Sequence, residues 1–265
     1  MNMQPDHSFY LFDVLSAIEQ AEKHAAELIL HAHGILAETK TGRRDVVTEY
    51  DRRVQALLTE LLCSAVPDAG FFCEETEDRA DPHAAKLFII DPIDGTLNFV
   101  HGFHHSCVSV AYAEHGEVLV GAVYNPYAGE MYTAVKGQGS RLNGSPIHVT
   151  EGGLEESIVC FGTAPYSINT SERTFFLART LYDMALDVRR EGSAALDLCT
   201  VAAGRAGLYY ELQLSLWDYA AGALVVREAG GICSTADGDA LPTDGSKASV
   251  AAGSPRAMEE FLRLV

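Results

Sequence analysis

The chain has 265 residues, 48% of them apolar, and 37 acidic against 19 basic residues give it a formal charge of −18. This length and apolar share fill one large core or two closely joined halves. The acidic excess opposes binding to nucleic acid or anionic membranes, both of which recruit Lys and Arg, while an anionic substrate stays open because a bound divalent cation can reverse the local sign.

The first residues, MNMQPDHSFY, lack the basic region and apolar stretch of a signal peptide. No segment reads as a membrane-spanning apolar run, so a soluble, cytoplasmic protein is expected. Cys63, Cys73, Cys107, Cys160, Cys199 and Cys233 form no CxxC pair and sit mostly in apolar runs. They read as free thiols in a reducing compartment, not as zinc ligands.

Residues 8–37 read as a long amphipathic helix, with Phe12, Leu15, Ile18, Ala21 and Ala25 at spacings of three and four, then Leu28 and Ile29. His31 and His33 near its end read as solvated, or as favouring the helix C-terminus, before they read as ligands. Gly34 weakens the last turn. A second helix covers Asp51 to Val66, with Val54, Leu57, Leu58, Leu61 and Leu62 on one side, and Pro67 ends it. Phe71-Phe72-Cys73 is a short strand leading into Glu74-Glu75-Thr76-Glu77-Asp78. An acid run is usually a solvated loop, but here its first member is held by the strand.

Residues 87–98, LFIIDPIDGTLN, are the most informative stretch. Leu87 to Ile90 read as a buried strand that stops at Asp91 and, past Pro92, delivers a second acid, Asp94. Two carboxylates so placed suit a hard cation such as Mg²⁺. The free N–H groups of Gly95 and Thr96, at the start of a helix, suit an anion. Alone, DPxDG reads equally well as a turn with a capping Asp.

From 106 to 149 the texture is β: CVSVAYAE, EVLVGAVYNP and EMYTAVKG form a meander, and Gly137, Gly139, Asn143 and Gly144 mark further turns. Gly137-Gln138-Gly139 reads as a hairpin turn, since it lacks the strand-to-helix setting of a dinucleotide loop. From Ser157 the pattern is strand, helix 171–186, short strand, helix 193–204, strand 207–212, helix 217–229, strand 231–234, which belongs to α/β layering. A boundary near 150–156 divides the chain into 1–153, an α+β half, and 154–265, an α/β half.

Three separate segments place acids where strands or helices end: Glu74 in FFCEET, Asp91 and Asp94 in DPIDGT, and Asp218 in LWDYAAGALVVREAGG. Asp218 on its own reads as a helix cap. Together these segments strongly resemble the inositol monophosphatase family of Mg²⁺-dependent, lithium-sensitive phosphatases. The resemblance runs from DVVTEYD at 45–51 to WDYAAGALVVREAGG at 217–231, and includes GSAALDLC at 192–199 and YYE at 209–211.

The resemblance implies a layered α-β-α-β-α sandwich of the inositol monophosphatase and fructose-1,6-bisphosphatase type. It implies one metal on Glu74, Asp91 and the Ile93 carbonyl, a second on Asp91, Asp94 and Asp218, and a weaker third ion near Glu74. The ions are Mg²⁺, with Mn²⁺ as a substitute. Thr96 and Asp51 then orient the attacking water and receive its proton, with Glu74 assisting; Asp51 read alone is a helix cap. Gly95 and Thr96 hold phosphate oxygens. The leaving alcohol lies against Gly192, Ser193 and Ala194, with Glu211, Asp94 and Asp218 nearby. Two metals fit phosphate ester hydrolysis independently, since they supply a nucleophile, neutralise the phosphoryl group and stabilise the leaving oxygen.

The expected substrate is a small sugar or polyol phosphate, inositol 1-phosphate first. Histidinol phosphate, fructose 1,6-bisphosphate, NADP and phosphoadenosine phosphate are alternatives within the family. Glu191, where a neutral residue is more usual, and the short loop from Glu77 to Lys86 leave the leaving-group preference open. Lys40 belongs to a loop over the metals or is merely solvated. His101, His104 and His105 in HGFHH belong to a surface loop near a subunit contact, not to a zinc site. A homodimer is implied, with residues 97–110 and parts of the meander at the contact. A non-catalytic, protein-binding regulator of transcription is the reading from another class. Direct RNA contact is disfavoured, because Arg43-Arg44 and Arg189-Arg190 are small basic clusters in an acidic chain.

Overall fold

The computed structural model describes residues 5–42, 44–165 and 168–265. Arg43 of the first basic cluster therefore lies outside the described residues. No described helix is long and apolar enough to cross a membrane.

Helix α1 (Pro5–Leu30) buries Leu11, Val14, Ile18, Ala21, Ala25 and Ile29. That stripe keeps the helical period but starts one residue earlier than expected, so Phe12 points outward and is 44% exposed. The helix also ends sooner than residue 37. Gly34 takes a left-handed φ of 61° and the His33 N–H donates to the Tyr50 hydroxyl, so the chain turns away. A hairpin that the sequence reading did not anticipate follows, β1 (Ala37–Gly42) and β2 (Asp45–Thr48), and then helix α2 (Glu49–Ala65).

Strands β3 (Gly70–Cys73) and β4 (Leu87–Asp94) are parallel. Short helix α3 (Thr96–Val100) follows β4. The sheet continues antiparallel through β5 (Cys107–Glu114), β6 (Glu117–Asn125), β7 (Glu130–Val135), β8 (Ser140–Leu142) and β9 (Ser145–Ile147), seven strands in chain order. The Gly137 and Gly139 N–H groups donate to the Glu228 carboxylate, which pins that expected turn.

The second sheet has five strands in the order β11-β10-β12-β14-β13. They are β10 (Ile158–Phe161), β11 (Asp187–Arg189), β12 (Leu208–Leu214), β13 (Ile232–Ser234) and β14 (Ala248–Gly253). Its helices are α4 (Ser171–Met184), α5 (Ala194–Ala202), α6 (Leu216–Glu228) and α7 (Pro255–Leu262).

Side-chain alternation along the strands builds the layers. In β4, Phe88 and Ile90 join the core under α1 and α2, while Leu87 and Ile89 join the core containing α5 and α6. In β12, Tyr209 faces α5 and α6, while Leu208 and Tyr210 face α4 and α7 with Leu177, Leu181, Met258 and Phe261. The order is thus α1/α2, seven-stranded sheet, α5/α6, five-stranded sheet, α4/α7, which is the α-β-α-β-α sandwich expected from the family resemblance. Each fully buried Leu or Phe in these cores contributes about 1.5–3 kcal/mol. The chain's six cysteines are all free thiols.

Candidate active site

Asp91 and Asp94 are three residues apart, so a regular strand would turn them to opposite faces. The register removes that conflict. Asp91 pairs with Ser109 and Asp94 with Cys107, so β4 advances three residues while β5 advances two. This bulge carries Pro92, which has no N–H to lose from the ladder, and turns both acids to one cleft. The strand therefore runs on to Asp94 and does not stop at Asp91. Gly95 then takes φ 88°, and a Cβ there would lie 3.0 Å from the His105 carbonyl oxygen, so only glycine fits. Asp218 arrives from the first turn of α6, where its Oδ2 accepts from the Ser215 N–H at 2.7 Å in a capping box.

Among the described residues, Asp91, Asp94 and Asp218 each offer a carboxylate oxygen within 4.8 Å of the others. All three are buried. Asp91 Oδ1 accepts from the Ile93 N–H at 3.0 Å, and Asp94 Oδ2 accepts from the Ser193 hydroxyl at 2.5 Å and the Ala195 N–H at 2.8 Å. Burial, then the charges of Glu74 and Asp94, holds Asp91 and Asp218 well above the ordinary carboxylate range. Burial pushes Asp94 up to about 6, against the Ser193 and Ala195 hydrogen bonds.

Glu74 lines the same cleft from the end of β3. Its Oε1 accepts from Lys40 Nζ at 2.9 Å, and the same ammonium reaches Glu75 Oε1. Lys40 of the β1–β2 hairpin is therefore engaged at the site and not simply solvated. Burial works against its charge, yet Glu74 and Glu75 hold it above its ordinary value. Asp51 takes the capping role and also lies beside Thr96. Its Oδ2 accepts from the Thr48 N–H and hydroxyl as the capping box of α2, and its Oδ1 lies 3.3 Å from Thr96 Oγ1. Burial raises its pKa. Thr96 Oγ1 is also 3.1 Å from the Ile93 carbonyl oxygen.

The cleft is about 730 Å³, counting the part open to solvent, and Gly192, Ala194 and Glu211 line its far side. Glu211 accepts from the Ala164 N–H at 2.5 Å and from the Tyr209 hydroxyl at 2.8 Å. A Cβ on Gly162 would fall 1.8 Å from Glu211 Oε2, so this glycine makes room for the carboxylate. Ser193 does not line the cleft. It caps α5, and its hydroxyl is spent on Asp94. Glu191 is exposed, and its carbonyl accepts from Asn98 Nδ2 at 2.9 Å, as does that of His105 at 2.7 Å. Asn98 thus ties the DPIDGTLN segment to the loop before α5. Its place in that motif is the one local signal of this role, because both of its partners lie outside the motif. Arg44 and Arg190 also line the cleft, with Arg190 Nη2 donating to Thr163 Oγ1 at 3.2 Å. Sequence alone weighed them only as small basic clusters. His104 stacks on Tyr127, and the HGFHH histidines belong to no group of potential metal ligands among the described residues.

The donor set fits a hard divalent cation. It consists of oxygen atoms, which Mg²⁺ prefers. Three buried carboxylates that repel one another need protons or a cation to coexist.

Comparison with known proteins agrees. Residues 11–265 match the sequence profile of the Inositol monophosphatase family. The chain is 37% identical over 204 residues to an inositol-1-monophosphatase of Rhizobium meliloti, covering 77% of each. It is 35% identical over 232 residues to the Nus factor SuhB of Pasteurella multocida, covering 87% of this chain and 86% of that one. The crystal structure of the extragenic suppressor protein SuhB from Bartonella henselae superposes with a TM-score of 0.88 at 32% identity, covering 94% of this chain and 97% of the other. The chain belongs to the inositol monophosphatase family.

Proposed function

We propose that this protein is a Mg²⁺-dependent phosphatase that hydrolyses a small polyol phosphate, with inositol 1-phosphate as first candidate. The observation that carries the reading is the convergence of Asp91, Asp94 and Asp218 within 4.8 Å, beside the Asp51–Thr96 contact. The family is Mg²⁺-dependent, and the buried acid cluster fits such an ion. In this reading Glu74, Asp91, the Ile93 carbonyl, Asp94 and Asp218 hold two or three Mg²⁺ ions, or Mn²⁺ in their place. When bound, the metal supplies positive charge against the phosphoryl oxygens and acidifies water.

The chain's own groups do the rest. The Gly95 and Thr96 N–H groups hold phosphate oxygens. Thr96 Oγ1 orients the attacking water, and Asp51, whose pKa burial raises, takes its proton. Glu74 assists from the β3 side. Ser193 and the Ala195 N–H lock the Asp94 carboxylate in one orientation. Glu211, itself held by Ala164 and Tyr209, accepts from a hydroxyl of the leaving alcohol, which lies against Gly192 and Ala194. Buried pairing of this kind rejects an analogue lacking that hydroxyl. Asp94→Asn tests the reading: Mg²⁺-dependent phosphate release from inositol 1-phosphate is expected to vanish while the protein stays folded. Full activity in that variant would show the metal assignment to be wrong. A panel of inositol 1-phosphate, histidinol phosphate, fructose 1,6-bisphosphate, NADP and phosphoadenosine phosphate ranks the substrates. Lithium inhibition and a homodimer on sedimentation belong to the same reading.

The relative named as a Nus factor favours a second reading, a protein-binding regulator of transcription. A stoichiometric polymerase partner recovered from native extract, and unaffected by Asp94→Asn, would support it.

A further inference from the structure

Arg79 lies in the loop between β3 and β4, outside the groups assigned a role above. Its Nε donates to the Cys73 carbonyl at 2.7 Å and its Nη2 to the Glu74 carbonyl at 2.9 Å. The Glu74 N–H donates to the Ile90 carbonyl at 3.1 Å, so the Glu74 backbone is held at both ends. The guanidinium also lies against Trp217, with Cζ 4.5 Å from the ring centroid, and 5.6 Å from the Phe72 ring. The Phe72 and Trp217 rings are themselves 5.7 Å apart.

Trp217 immediately precedes Asp218. One planar cation therefore donates to the backbone of Glu74 and lies over the ring of the neighbour of Asp218. Among the described residues no carboxylate pairs with it within 4.0 Å. Its polar contacts are thus backbone carbonyls, and its position is set by geometry more than by charge neutralisation. Only a guanidinium offers both a two-donor fork and a stacking face; an ammonium offers neither.

We propose that Arg79 is a positioning residue. It sets the placement of Glu74 relative to Asp218, and through them the affinity of the cleft for a divalent cation. This rests on the reading of Glu74 and Asp218 as metal ligands. Groups one step behind metal ligands typically govern affinity by about 10–100-fold.

The test is calorimetric titration of Mg²⁺ into the full-length protein without any ester. Wild type is compared with Arg79→Lys, Arg79→Met and Asp94→Asn, and each is melted in chelator. Trp217 is the chain's only tryptophan, so its fluorescence gives an independent signal in the same titration. The expected result is a rise of about tenfold in the half-saturating Mg²⁺ for both Arg79 variants. The KM for inositol 1-phosphate at saturating Mg²⁺ should hardly move. Arg79→Lys keeps the charge and the aliphatic stem, so it decides the matter if Arg79→Met does not fold. Wild-type Mg²⁺ affinity in Arg79→Lys, with a lowered melting temperature, would reduce Arg79 to packing and overturn the proposal. In that case loss of binding in Asp94→Asn would leave the metal reading standing. A wild type that binds no Mg²⁺ would overturn both.

Discussion

Glu22 on α1 and the trio Asp91, Asp94 and Asp218 are all carboxylates withdrawn from water, in different surroundings. Among the described residues no hydrogen bond of ordinary geometry reaches either oxygen of Glu22, the Val110 backbone eases its charge only weakly, and burial, with Glu19 nearby, holds its pKa well above the ordinary range. Each member of the trio keeps a protein donor on one oxygen while offering an oxygen to a common point. Glu22 needs a proton and nothing else. The trio is oriented by the chain, lines a cleft and repels itself, which is the arrangement a cation relieves. Burial of an acid therefore says little about function until its hydrogen bonds and its neighbours are counted.

The largest expected effect comes from removing one member of the trio. Asp91→Asn should cut Mg²⁺-dependent phosphate release by about a thousandfold or more and raise the melting temperature in chelator, because a repelling charge is gone. An unchanged rate would dissolve the distinction between trio and lone acid.

Next is pH. An unfolded Asp titrates near 3.9 and folded Asp94 at about 6, so the proton favours the folded state. That contribution is full below about pH 4 and is lost as pH rises through about 6. The difference of about two units corresponds to roughly 3 kcal/mol. In chelator the melting temperature should fall by about 5 °C or more between pH 4 and pH 8. Saturating Mg²⁺ should restore it more at pH 8 than at pH 5, where protons compete. A flat chelator profile would mean the trio's charges are relieved some other way.

Glu22→Met should stabilise the protein by about 1–3 kcal/mol, since it removes unpaired buried oxygens, with kcat unchanged. Destabilisation on chemical denaturation would reveal a partner for Glu22 and bring it closer to the trio. Lys40→Ala should act least. Its pairs with Glu74 and Glu75 are partly exposed, so stability changes by less than about 1 kcal/mol. Half-saturating Mg²⁺ should fall slightly, because Glu74 is released from the ammonium.

Much of this molecule was legible along the chain. The meander, the alternation after Ser157 and the short β3 strand follow from local periodicity and turn residues. The hairpin of β1 and β2, the brief β8 and β9, and the terminal β14 and α7 were not anticipated. Ala37 to Thr48 is polar and shows no clean alternation, so its pairing is settled by what it lies against. The end of α1 was missed because a left-handed Gly34 and a Tyr50 hydroxyl stop it, and the second of these is a tertiary contact.

At the site, the sequence by itself determined which groups are available: Glu74, Asp91, Asp94 and Asp218 at the ends of strands and the start of a helix, with glycine where the backbone needs φ near 88°. Only the tertiary structure decided how they meet. The bulge that turns Asp91 and Asp94 the same way depends on the register with β5. The grip of Lys40 on Glu74, of Asn98 on the Glu191 carbonyl and of Arg79 on both Glu74 and Trp217 joins segments far apart in the chain. Local spacing reports what a residue's immediate neighbours allow. Long-range partners are chosen by how the layers pack, and no short window of sequence contains that information.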